Sequence, residues 1–196
     1  MKFPITLSFK LLSLTTHIQI LSASGDLLGF AKQKWFKLKE DLRIFSPSEV
    51  ELYNIQANKI WDFSPTYTIS RSHHDTVLGT ISRQGVRSIW SAHYNITCND
   101  GAYQNKVLEV HEEDPWTKFF DAWLGSIPIL GMLTGYVFNP AYIISAAGTP
   151  IARLQKQPAF WEGQFELSSV KELDDQTKEI LTLSSLVVLI MERSRG

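Results

Sequence analysis

The stretch DDQTKEILTLSSLVVLIMERSRG, Asp174–Gly196, decides how this chain is read. Between Glu179 and Glu192 it runs twelve residues without a charge, Ile180 to Met191. Asp174 and Asp175 suit the positive end of a helix, and Arg193 and Arg195 suit its negative end. The spacing therefore predicts a helix from about Asp174 to Arg193. That helix is apolar almost all round, so protein or lipid must enclose it. Its uncharged part is about 18 Å long at ~1.5 Å per residue, too short to span a bilayer. It belongs in a core, with Ser184 and Ser185 small enough for close packing.

The chain in front of it reads mostly as strands and turns. Thr16–Ser22, Leu27–Gln33, Leu42–Phe45, Glu51–Ala57, Thr66–Ser70, Val77–Ser82, Asn95–Cys98 and Lys106–His111 are alternating or β-prone runs. Shorter runs lie at Trp35–Leu38 and Trp61–Phe63, and Arg87–Tyr94 is another. Asn99-Asp100-Gly101 is a hairpin signal. The opening run, Ile5 to Leu14, is broken by Lys10, and no clean small-x-small cleavage site follows. A strand is preferred there over a secretory signal. Three stretches echo one another: IQILSASGDLLGFAKQ from Ile18, YTISRSHHDTVLGTISRQ from Tyr67 and YIISAAGTPIARLQKQ from Tyr142. Each is an apolar alternating strand, a polar turn and a return strand ending near Gln, which points to repeated β-meanders. A core helix inside an otherwise β chain is most simply threaded through a closed barrel, and closure also removes exposed sheet edges.

Composition limits the function. The chain has 196 residues, a formal net charge of −1 and 20% charged residues, which fits one globular domain over 1–196. Near-zero charge argues against a nucleic-acid binder. The single cysteine, Cys98, excludes an internal disulfide framework and fits a reducing, cytoplasmic compartment. Twelve per cent of residues are aromatic, six of them Trp, an excess that needs an explanation.

A barrel of meanders around a hydrophobic C-terminal helix resembles the tubby C-terminal-like superfamily, above all its LURP-one-related and phospholipid scramblase-like branch. The residues that carry the likeness are the repeated strand-turn-strand units, GFAKQKWFKLKEDLRIF (Gly29–Phe45) and the closing ILTLSSLVVLIMERSRG. It extends over roughly Leu11 to Arg195. The segment 114–140, DPWTKFFDAWLGSIPILGMLTGYVFNP, departs from the simplest members. The resemblance implies an antiparallel barrel of about twelve strands around the helix. It also implies phosphoinositide-type headgroup binding or membrane association, with no catalytic motif and no cofactor.

Two groups are candidates for such contacts. Lys32, Lys34, Lys37 and Lys39 surround Trp35, where ammoniums beside an interfacial indole suit an anionic headgroup. A solvated, aggregation-resistant strand face is the commoner use of such a run. The second group opens at Asp114-Pro115, an N-cap followed by proline at the first helical position. Trp116, Phe119, Phe120, Trp123 and Leu124 then fall on one helical stripe. That stripe closes an end of the barrel or packs on its wall, meets a membrane, or forms a dimer or partner contact, in that order of preference. The run Ala122–Phe138 is uncharged but interrupted by Gly125, Pro128, Gly131 and Gly135.

Other chemistry is weakly supported. His111-Glu112-Glu113-Asp114 matches neither an EF-hand nor a zinc spacing, and His73-His74-Asp75 reads as a turn. No nucleophile elbow, P-loop, dinucleotide fingerprint or H-E-x-x-H is present. The expectation is a non-enzymatic module without metal or cofactor, peripheral at an anionic membrane. The alternative is a soluble scaffold that uses the aromatic helix as its interface.

Overall fold

In the computed structural model the described residues form a closed antiparallel barrel of twelve strands with a helix inside it. The structure describes residues 2–10, 16–33, 41–58, 65–73, 76–84, 92–113, 141–158 and 163–193. The strands are β1 (Ile5–Lys10), β2 (Thr16–Ser22), β3 (Leu27–Gln33), β4 (Asp41–Phe45), β5 (Glu51–Ala57) and β6 (Thr66–Arg71). They continue as β7 (Thr76–Arg83), β8 (His93–Cys98), β9 (Val107–Glu112), β10 (Ala141–Ala146), β11 (Thr149–Gln157) and β12 (Gly163–Ser169). Helix α1 is Asp175–Arg193. Every strand pairs with its neighbours in sequence, and β12 closes the ring on β1 in the register Leu7↔Phe165.

Alternation sets which side chains point inward. On β1 Ile5, Leu7 and Phe9 are buried, on β8 Tyr94, Ile96 and Cys98, and on β9 Leu108 and Val110. An eight-stranded barrel is filled by its own side chains. Twelve strands leave a wider lumen, and a helix about 10–12 Å across with its side chains fills it. From Ile180 to Ile190 every residue of α1 is buried. Each buried Leu, Ile or Val there contributes about 1.5–3 kcal/mol relative to exposure.

The three echoing stretches are the hairpins β2–β3, β6–β7 and β10–β11, one in every four strands. They share more than a pattern. Each slips register at the same point, at Ile20/Leu21, Ile69/Ser70 and Ile144/Ser145. A fourth slip, at Ile44/Phe45, lies in β4–β5. Such bulges add twist and bend the strands, which helps a sheet close on itself. Gly79, next to the second bulge, permits a close approach. A Cβ there would stand 2.0 Å from the Thr97 carbonyl oxygen and 3.2 Å from Cδ1 of Ile180.

One connection differs from its sequence signal. Asn99-Asp100-Gly101 does lie between paired strands, but it opens an eight-residue connection, 99–106, and not a two-residue turn. The extra length reaches the start of α1. Gly101 has φ +82°, and the Ala102 N–H donates to Asp174 Oδ2 at 3.2 Å. The tight turn appears instead at Ala147-Gly148, where both residues have positive φ.

Candidate functional site

The two barrel rims differ in what anchors them. At the first rim α1 begins. Asp174 accepts from the Thr177 N–H at 2.9 Å and from the Thr177 hydroxyl at 2.6 Å, an N-cap. Burial pushes the Asp174 carboxyl upward. The hydrogen bonds from Thr177 and Ala102 outweigh it and hold the group below its ordinary value. One turn on, Glu179 accepts from Arg71 at 3.2 and 2.6 Å and from the Tyr53 hydroxyl at 2.5 Å. The carboxylate is 14% exposed, so this paired charge fixes the depth and rotation of the helix in the barrel. Burial, then the Glu179 contact, drives the Tyr53 hydroxyl well above its usual range.

At the second rim α1 ends. The Tyr94 hydroxyl donates to Glu192, and the Arg193 guanidinium lies 5.4 Å from the centre of the Phe9 ring. Burial raises the Tyr94 hydroxyl strongly, helped by Glu192. Between helix and wall, beside Asp41, Ile55, Tyr67 and Ile190, is a gap of about 20 Å³, enough for about one water. At this gap a ligand in the lumen would have to displace the helix. Cys98 is buried, and burial pushes its thiol up to about 11, with Asp174 adding to the effect. A thiol so protonated is a poor nucleophile.

Lys32 lies on the outer wall. Its ammonium is 5.1 Å from the centres of both the Phe30 and Phe45 rings, which stack on each other at 5.7 Å. It also meets Glu49 at 3.4 Å. Opposite it in register is Arg43, bound to Asp41 at 2.9 Å and Glu51 at 3.1 Å. The two cations thus stand among three carboxylates. An anionic headgroup would compete with Glu49 for Lys32. Lys34, Trp35, Lys37 and Lys39 lie outside the described residues. So do Trp116, Phe119, Phe120, Trp123 and Leu124, and with them the helix expected at Asp114.

Sequence reading missed three groupings. Glu179 meets Arg71 and Tyr53 across 108 and 126 residues of chain. Arg153 binds Glu113 at 2.8 Å. His93 and His111 face each other across β8 and β9, with ring centres 6.5 Å apart. The strand pattern alone gives no register, and so none of these pairs. Among the described residues no three His, Cys, Asp or Glu side chains converge as a metal cluster, and no helix is long and apolar enough to cross a membrane.

No family model matches the chain, and no curated protein does. The fold, however, has a counterpart. An X-ray structure of a protein from Arabidopsis thaliana is similar with a TM-score of 0.52 and 13% sequence identity. The likeness covers 98% of this chain and 92% of that one. At that identity it is a likeness of fold.

Proposed function

We propose that this barrel is a non-enzymatic, cytoplasmic module of the tubby-like and scramblase-like kind, which docks peripherally on an anionic phospholipid surface through its second rim. The supporting observation joins topology to sequence. The described strand ends flanking 34–40, 59–64, 85–91, 114–140 and 159–162 all belong to the rim where α1 ends. Those five connections carry all six tryptophans: Trp35, Trp61, Trp90, Trp116, Trp123 and Trp161. Tryptophan is favoured at membrane interfaces, where one end of the ring is apolar and the other wet. The same connections include Lys34, Lys37 and Lys39, which suit the negative potential of an anionic leaflet.

Flotation of the purified chain with vesicles tests this reading. Anionic vesicles should retain the chain better than neutral ones at low salt. Retention through the lysines falls at high salt, because exposed charges are screened. Retention through apolar insertion persists. Replacing Trp116 and Trp123 together by Ala should weaken the persistent part. Equal retention by that double variant would remove the aromatic segment from the contact. Absence of binding to either vesicle would overturn the proposal in favour of a soluble scaffold, and concentration-dependent dimerisation without lipid would then name its interface.

A further inference from the structure

We propose that His93 and His111 form a two-point chelate for a transition-metal dication, such as Zn²⁺ or Cu²⁺, on the outer wall of the barrel. The two residues are opposite each other in the β8–β9 register. The neighbouring pair is the hydrogen-bonded one, since the Glu112 N–H donates to the Ala92 carbonyl at 3.1 Å. In an antiparallel ladder these pairs alternate, so 93/111 is a non-hydrogen-bonded pair, whose side chains approach most closely. Alternation agrees on the face. Tyr94 and Val110, their neighbours in sequence, are buried in the core, whereas both histidines are partly exposed.

The ring separation is close to that of a shared ion. A metal about 2.0–2.1 Å from one nitrogen of each ring stands about 3 Å from each ring centre, so two rings sharing it have centres about 5–6 Å apart. Here the centres are 6.5 Å apart and the planes differ by 29°. Sharing one ion would bring the ring centres about 1 Å closer than they stand here. Imidazole is a ligand for zinc, copper and nickel and discriminates against magnesium and calcium. With two protein ligands the remaining positions belong to water. Glu109 lies two residues before His111 on the same face of β9, and Glu113 follows just past the end of that strand. Their carboxylates add negative charge near the ion without completing a cluster, and Glu113 is engaged with Arg153.

The sheet makes the pair more than two separate histidines. Once one ring holds the ion, the other is presented at a high local concentration, which raises affinity by about 10²–10⁴-fold over a single ring. Only the folded barrel brings residues 93 and 111 together, so the metal should also stabilise the fold.

Titration of the full chain with Zn²⁺ alone, and separately with Cu²⁺, tests the proposal. One equivalent should bind, the melting temperature should rise with metal concentration, and Cu²⁺ electron paramagnetic resonance should show two nitrogen ligands. His93→Gln and His111→Gln should each weaken binding about 100-fold and abolish the thermal shift. The remaining histidines, His17, His73 and His74, serve as the control, and His73→Gln with His74→Gln should bind as the parent does. Parent-like binding by either His93→Gln or His111→Gln, or loss of binding in the His73/His74 variant, would overturn the proposal. So would a parent chain with no one-equivalent site. If a variant fails to fold, the imidazole resonances of His93 and His111 in the parent answer the question. Both should move together on adding one equivalent of Zn²⁺, and movement of other histidines alone contradicts the site.

Discussion

Single residues fix where the helix sits. Asp174 caps its first turn and ties it to the β8–β9 connection. Asp174→Ala should cost about 1 kcal/mol, typical of a lost N-cap, measured as a lower denaturation midpoint. The carboxyl is held below its ordinary value in the fold. The stability it contributes is therefore present above the unfolded value of about 3.9 and lost as pH falls through the lower folded value. The parent and Asp174→Ala should differ in stability at neutral pH, begin to converge below about pH 4 and meet below the lower folded value. A constant difference down to pH 2 would contradict this role. Glu179 is the complementary case. Nothing in KEIL announces that its carboxylate meets Arg71 and Tyr53, because those partners come from strands more than a hundred residues earlier.

At the scale of elements, periodicity was informative and register was not. Helix α1 was legible at both ends, because Asp174 and Arg193 are local signals and the run between Glu179 and Glu192 lacks any charge. The hairpins β2–β3, β6–β7 and β10–β11 were legible as an echo. Their shared bulges were not, since a slipped register leaves no mark in alternation. Turn-residue chemistry marked Asn99-Asp100-Gly101 as a hairpin signal, yet an eight-residue connection stands there, and the two-residue turn is Ala147-Gly148 inside the third echo. Ala147 stands there at φ 48°, a left-handed conformation that Asn adopts more easily than Ala. Ala147→Asn should raise stability by a few tenths to about 1 kcal/mol, seen as a higher midpoint in urea. The helix makes a harsher demand. Leu186 is 0% exposed, and Leu186→Asp would bury an unpaired charge at a cost of about 3–5 kcal/mol or more. Loss of the folded state is expected. A folded variant with the parent melting temperature would mean that α1 does not fill the barrel.

For the molecule as a whole, closure leaves no sheet edge among the described strands for a partner strand, and the helix leaves little lumen for a ligand at the gap beside Asp41. The rim where α1 begins is built largely from short turns, of four, five, four, eight and two residues between paired strands. The described strand ends at the rim where it finishes flank the five connections that hold every tryptophan of the sequence. The sequence held the tryptophans and the lysine run in plain view, but only the strand order brings five separate connections to one rim.

That one-sided distribution makes intrinsic tryptophan fluorescence the most direct test. The parent chain would be mixed with anionic vesicles whose acyl chains carry bromine, a quencher that acts at close range. The account predicts marked quenching relative to unbrominated vesicles of the same charge, reduced in the Trp116→Ala, Trp123→Ala double variant. Vesicle binding with unquenched emission would place another face of the barrel against the lipid and contradict the rim as the docking surface.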